Sequence, residues 1–309
     1  MECLHCGDPG CMKPGFLRTF ALIAALGAGI LVPQAYVAVW LVRWLIIGML
    51  FVVFLQTRFS RKSLQPSHGT LLAANLAMGG VGWAIGWLAG GHSLALAGFF
   101  AGITPTATAA AVITGFLGGR IDYVVTAFML TTMSVAAVFP FVLPWVLGQA
   151  TPNVFSQVMG SVGILVFIPL AVAMLLRRIH PPAAQWPRRL STVSFSAWIV
   201  ALFLITSNAS HFLRAQTEIP ASTVWVIAAV SAAICVLNFG LGRLIGGREF
   251  SREASQALGQ KNTSLTIYLA LAYANPLVAL GPTCYVLWHN LWNSWQLYRH
   301  REHDRRTRA

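Results

Sequence analysis

Long apolar runs separated by short polar connections dominate the chain of 309 residues. A helix needs about 20 apolar residues to cross the hydrocarbon core of a bilayer. Ten runs approach or exceed that length, at residues 16–33, 36–56, 70–90, 93–118, 121–148, 153–176, 191–213, 221–245, 250–273 and 276–297. The pattern therefore predicts an all-α membrane protein with ten transmembrane helices.

Two of these runs, the fourth and the ninth, contain residues that interrupt a helix. The fourth contains GITPTAT at residues 102–108, where the proline removes a backbone donor and clashes with the preceding turn. The ninth contains the polar stretch GQKNTS at residues 259–264. Because both are the fourth run of a set of five, we expect two inverted five-helix repeats, 16–150 and 151–298, with helices four and nine broken and crossing.

Interrupted segments at matching positions indicate the binding site of a transporter, because they expose backbone N–H and carbonyl groups at mid-depth. The alternative is a simple proline kink in the fourth run, with the cytoplasmic end of a helix in the ninth.

Composition and charge agree with a membrane protein rather than with a nucleic-acid-binding one. The chain is 57% hydrophobic and 9% charged, and its net charge of +13 lies mostly between the apolar runs. The even-numbered connections carry the basic residues, whereas the odd-numbered ones have none except Arg214. The positive-inside rule then places both tails, 1–15 and 299–309, in the cytoplasm. We expect a multi-pass protein of a bacterial inner membrane; if the first run were a cleaved signal peptide, nine crossings would remain.

The acidic residues and cysteines narrow the chemistry. None of the eight acids lies at the centre of an apolar run, which argues against a buried carboxylate relay and removes the usual side-chain anchor for a dehydrated cation. The chain has no G-x-S-x-G or P-loop motif, so we expect neither an enzyme nor a primary pump. Cys3, Cys6 and Cys11 form either a metal site that lacks a clear fourth ligand or part of an unstructured reduced tail.

The arrangement resembles the bile acid/sodium symporter superfamily, on residues 259–264, the LWHN stretch at 287–290 and the proline–threonine break of the fourth run. The resemblance implies a core of helices 3–5 and 8–10 and a panel of helices 1, 2, 6 and 7, with substrate between them. It also implies that the binding site is lined by Asn75, Thr104, Thr106, Thr108, Gln260, Lys261, Asn262 and Thr263. The candidate sodium ligands by this resemblance are Thr126, Thr131 or Thr132, and Gln260.

The chain departs from the sodium-coupled pattern at several of the positions that matter for sodium. Ala257 stands where those members have a glutamate, and Lys261 stands where they have a glutamine. Ala110 and Ala111 occupy the place of a serine–asparagine pair. Sodium is therefore a doubtful co-substrate, and no other cofactor is expected.

Two basic residues lie within apolar runs, Lys261 and Arg43. The ammonium of Lys261 is suited to occupy the place of a missing sodium ion; the alternative is that it snorkels to the surface. Arg43 either faces Lys261 across the substrate cleft or contacts lipid phosphate. A buried cation is less costly when an anion pairs with it, so both residues favour an anionic substrate.

The sequence thus predicts a secondary active transporter that moves a small organic anion by alternating access, with altered or absent sodium coupling. A sodium-coupled organic solute symporter is the alternative, and a membrane-embedded enzyme is the alternative of another class. The expected partners are the anion and the lipid bilayer; no obligate protein partner is implied.

Overall fold

The protein is described by a computed structural model that covers residues 14–56, 63–216, 219–220 and 222–308. The three cysteines of the N-terminal tail, the basic residues Arg58, Arg61 and Lys62, and Glu218 lie outside the described residues.

The described part is helical throughout and contains no strand other than one isolated bridge. This confirms the all-α prediction. The helices are α1 (Pro14–Leu31), α2 (Leu41–Gln56), α3 (Ser67–Gly90), α4 (His92–Ile103), α5 (Ala109–Phe116), α6 (Ile121–Val146), α7 (Pro152–Val162), α8 (Ile168–Ile179), α9 (Trp186–Ala215), α10 (Ser222–Gly246), α11 (Ser251–Gly259), α12 (Thr263–Tyr273) and α13 (Pro276–Arg308). A π-helical turn, Gly163–Phe167, joins α7 to α8, and 3-10 segments cover Pro33–Ala38 and Pro181–Gln185.

Five stretches among the described residues are long and apolar enough to cross a membrane. They are Ser67–Gly90, Ile121–Val146, Pro152–Ile179, Thr192–Ala215 and Ser222–Gly246. Shorter apolar helices cover Phe20–Leu31, Leu41–Leu55, His92–Ile103 and Thr263–Tyr273. The protein is therefore an integral membrane protein with several passes.

The helices pack in two groups. In the first group, which we call the panel, α9 contacts α1 and α2, and α8 contacts α2, while α7 continues into α8. In the second group, which we call the core, α4 contacts α3, α10, α12 and α13, while α11 packs on α10 and α6 packs on α3, α5 and α11. Contacts between α2 and α12, α6 and α7, and α9 and α13 connect the two groups.

Glycines allow the closest approach within the core, between α3 and α4. A Cβ at Gly98 would collide with the carbonyl of Gly82, and a Cβ at Gly102 with the carbonyl of Met78. Small residues at helix contacts are typical of membrane proteins, because backbones gain dispersion contacts when they approach closely. This close packing fixes the position of the C-terminal end of α4.

Two adjacent helix ends are followed by short extended segments. Between α4 and α5, Thr104 takes an extended conformation (φ −47°, ψ 133°), as expected for a residue before a proline. Between α11 and α12, Gln260 is also extended (φ −85°, ψ 103°). The first segment covers residues 104–108 and the second covers residues 260–262.

Candidate functional site

The two extended segments pair with each other in the interior of the protein. Thr106 and Lys261 form an antiparallel bridge. The N–H of Ala107 donates to the Gln260 carbonyl over 2.8 Å, and the N–H of Asn262 donates to the Pro105 carbonyl over 2.8 Å. Each interruption thereby satisfies backbone groups that the other leaves open, which a helix end buried in a membrane protein requires.

Side chains satisfy the carbonyls that the ends of α4 and α11 leave without helical partners. At the end of α4, Asn75 Nδ2 donates to the Ile103 carbonyl over 3.2 Å. At the end of α11, Thr106 Oγ1 donates to the Ala257 carbonyl over 2.5 Å, and the Tyr285 hydroxyl donates to the Gly259 carbonyl over 2.9 Å. The polar residues of the site therefore also hold the broken ends in place.

Lys261 points into the protein, and only 2% of its surface is exposed. Its Nζ donates to Asn75 Oδ1 over 2.6 Å and to the Gly102 carbonyl over 3.3 Å. Gly102 lies in the last turn of α4, where the helix dipole is negative and favours a cation. The ammonium is thus buried between a neutral amide and a helix end, which rules out the snorkelling alternative.

The threonines expected at the site fall into two sets. Thr104, Thr106 and Thr263 are buried at the paired segments, where Thr104 Oγ1 lies 2.8 Å from Thr266 Oγ1. Thr108 is half-buried and immediately precedes α5, and half-buried Asn262 reaches the pairing through its backbone.

The candidate sodium ligands are not joined by any described hydrogen bond. Thr126 Oγ1 donates to the Asp122 carbonyl of its own helix over 2.9 Å. Thr132 Oγ1 is buried without a hydrogen-bond partner among the described residues. Thr131 does reach the crossing, because its Oγ1 accepts from the Thr106 N–H over 3.1 Å.

The positions expected to carry sodium-binding side chains come together, but they are apolar. Ala110 and Ala257 are both fully buried in one hydrophobic cluster that also contains Leu71 and Tyr123, and Ala111 packs against it. Methyl groups offer no oxygen to a hard cation, which binds through oxygen ligands. The residues present therefore do not fit a sodium ion at this place.

A buried chain of amides beside the crossing was not anticipated as part of the site. Asn293 Nδ2 donates to Gln260 Oε1, and Asn293 Oδ1 accepts from Gln256 Nε2 over 3.0 Å. Gln256 also donates to Gln296 Oε1 over 2.6 Å. The sequence shows only that Asn293 shares a helix face with His289 and Asn290, a pattern that favours helix packing and does not indicate a link to Gln260.

No described hydrogen bond joins Arg43 to Lys261. Arg43 is close enough to Tyr273 to interact with it electrostatically, and α2 contacts α12. Tyr273 is twelve residues from Lys261, about 18 Å along the helix at about 1.5 Å per residue. That Arg43 faces Lys261 across a cleft stays a prediction, since the described neighbour of Arg43 is at the other end of α12.

An apolar cavity of about 560 Å³ lies between α3, α4 and α6. It is lined at one end by His92 and Trp145 and at the other by Leu76 and Ile103. Leu76 follows Asn75, and Ile103 is the residue whose carbonyl Asn75 holds. The cavity lining therefore includes two residues next to the Lys261 site, whereas Asn75, Gly102 and Lys261 do not line it.

The apolar helices characterise an integral, multi-pass membrane protein. Residues 69–216 match the model of the Sodium Bile acid symporter family. The match covers just under half of the chain and confirms, over these residues, the resemblance seen in the sequence. It covers Asn75 and the threonines of the first segment but not Arg43 or Lys261. No curated protein matches the chain.

Proposed function

We propose that the protein is a secondary active transporter that moves a small organic anion by alternating access, without a requirement for sodium. In this proposal ten membrane crossings form two inverted repeats, with α4–α5 and α11–α12 as the broken fourth and ninth crossings. The core and the panel move relative to each other, and the anion binds near the paired segments.

The observation that carries the proposal is the environment of Lys261. Its ammonium is 2% exposed, and its two hydrogen-bond acceptors, Asn75 and the Gly102 carbonyl, are both neutral. The one ion pair between described residues, Arg120–Glu249, joins two exposed side chains and does not involve Lys261. A buried charge without a counter-ion is costly, so binding an anion beside Lys261 is favourable.

The paired segments supply further groups for an anion. The N-terminus of α12 begins at Thr263, two residues after Lys261, and carries the positive end of the helix dipole. The adjacent cavity of about 560 Å³ lies within the range of about 300–1,000 Å³ that small-molecule sites occupy, and it is mainly apolar. Together they suit an anion with an organic body.

Sodium coupling is disfavoured by the same residues. The Lys261 ammonium is a tethered cation at the position where the family pattern has a sodium-binding glutamine, and Ala110 and Ala257 replace polar ligands. The unpartnered hydroxyl of Thr132 is the one feature that favours the sodium-coupled alternative. For a membrane-embedded enzyme, the described residues offer no cluster of three metal-ligating side chains, and members of the matched family are transporters.

A thermal-shift screen of the purified protein against organic anions, with sodium or potassium as the only cation, tests the proposal. Ligand binding raises the unfolding temperature by mass action. We expect anions that stabilise the wild type equally in both salts and that do not stabilise Lys261→Gln. Arg178→Gln, which removes an exposed charge, is the matched control and should respond like the wild type. Equal stabilisation of Lys261→Gln by the same anions would overturn the role of Lys261.

A further inference from the structure

We infer that Arg43, Ser161 and Tyr273 form a second anion-binding site, at the far end of α12 from Lys261, between the panel and the core. The ligand class is a small carboxylate or sulfonate, or the same group on the transported anion. The inference rests on the proposed function in one respect: the anion that binds here is the transported anion, on its way to or from Lys261.

The three residues come from three helices that meet at the junction of the two groups. Arg43 lies on α2 and Ser161 on α7, both of the panel, whereas Tyr273 is the last residue of α12 in the core. Ser161 Oγ and the Tyr273 hydroxyl are 2.6 Å apart. This hydrogen bond joins a panel helix to a core helix, so it must break if the two groups separate.

The guanidinium of Arg43 is incompletely satisfied. Its Nε is buried and has no hydrogen-bond partner among the described residues. No Asp or Glu lies in α2, α7 or α12, and Arg43 is close enough to Tyr273 for the two side chains to interact electrostatically. An arginine in this position attracts a planar anion, which it can bind with two parallel hydrogen bonds.

The hydroxyls complete the site. When the hydrogen bond between Ser161 and Tyr273 opens, both hydroxyl groups can donate to a new acceptor. A carboxylate or sulfonate beside Arg43 supplies that acceptor. The bond therefore closes the site in this state, and an anion takes its place in the open state.

Charge-selective labelling tests the inference without knowledge of the substrate. Tyr273→Cys and, as a second reporter, Ser161→Cys are placed in nanodiscs and treated with negatively charged sulfonatoethyl methanethiosulfonate or positively charged trimethylammonioethyl methanethiosulfonate. Peptide mass spectrometry follows the introduced cysteine, so the native cysteines remain. We expect the positive charge of Arg43 to raise the ratio of the labelling rate of the anionic reagent to that of the cationic reagent. This ratio should fall about tenfold when Arg43→Gln is added, since a charge acts over a Debye length of about 10 Å. Arg43→Lys should keep the ratio.

Two further comparisons make the result specific. In Ser161→Cys, adding Tyr273→Phe should speed labelling, because the hydroxyl that closes the site is gone. Lys261→Gln should leave the labelling ratio unchanged, because residue 261 is about 18 Å from Tyr273 along α12. A failure of the Lys261 site in the thermal-shift screen can therefore be told apart from a failure of the Arg43 site in the labelling experiment. The inference is overturned if neither reporter reacts with either reagent, or if Arg43→Gln leaves the ratio as it was.

Discussion

At the scale of single residues, the buried Lys261 is stabilised by neutral groups that leave its charge available. Asn75 is the central partner, because its Oδ1 accepts from Lys261 Nζ while its Nδ2 donates to the Ile103 carbonyl. One amide thus holds both the cation and the end of α4. Substitutions of Asn75 should therefore change the stability of the protein and its affinity for anions in different ways.

Asn75→Asp should raise the unfolding temperature and weaken anion binding, because a carboxylate 2.6 Å from Nζ would pair with the charge internally. Because Lys261 would already have a counter-ion, the binding free energy of the anion should weaken by about 2 kcal/mol or more, which is roughly 30-fold in affinity. Asn75→Leu is the contrasting variant; it should lower stability by about 1.5–3 kcal/mol, since a charged donor loses its acceptor. Titration of a screen hit and thermal unfolding measure the two effects. Tighter anion binding by Asn75→Asp would contradict the prediction.

At the scale of helices, the site depends on how closely α3 and α4 approach. Gly82 and Gly98 bring the backbones together, and this contact sets where Gly102 and Ile103 present their carbonyls. The geometry around Lys261 therefore depends on these glycines as well as on the polar residues. Gly98 lies four positions before Gly102 in α4, and Gly82 lies seven positions after Asn75 in α3.

Gly98→Val should destabilise the protein and weaken anion binding together, because its Cβ would meet the Gly82 carbonyl and force the helices apart. Overpacking of this kind costs about 1–3 kcal/mol. Gly240→Val on α10 is the matched control, since a Cβ there meets nothing within 4 Å. Thermal unfolding in detergent compares the two variants. If both lose the same stability, close packing of α3 on α4 is not the cause.

At the scale of the whole molecule, cation dependence and orientation follow from where charges lie. Ala110 and Ala257 belong to one buried apolar cluster, and Arg120 and Glu249 pair on the surface. The first feature concerns what drives transport, and the second is consistent with basic connections on one side of the membrane.

Sodium should not stabilise the wild type or Lys261→Gln relative to potassium at equal ionic strength. Adding Ala257→Glu to Lys261→Gln restores an acid and an amide together, so this double variant should gain a sodium-dependent rise in unfolding temperature. Ala257→Glu alone should not, because Lys261 would pair with the new acid. A sodium effect in the wild type that persists in Lys261→Met would show that the lysine does not take the place of a cation.

Both termini should lie in the cytoplasm, as the charge pattern of the connections predicts. Fusions of a fluorescent protein to either end should fluoresce in bacteria, whereas alkaline phosphatase fused to the same ends should be inactive. Active phosphatase at either end would place that end outside the cytoplasm and contradict the prediction.

The sequence by itself determined the helical membrane class, the resemblance to the family and the two places where polar residues meet apolar runs. These properties depend on local composition, on proline at residue 105 and on motif spacing, all of which can be read along the chain. Only the tertiary structure decided what the buried groups contact. Lys261 bonds to Asn75, which is 186 positions away, and Ala257 lies with Ala110 although 257 − 110 = 147 positions separate them. Asn293 joined Gln260, and Arg43 lies near Tyr273, because helix packing, not sequence distance, determines which polar side chains meet in a low-dielectric interior.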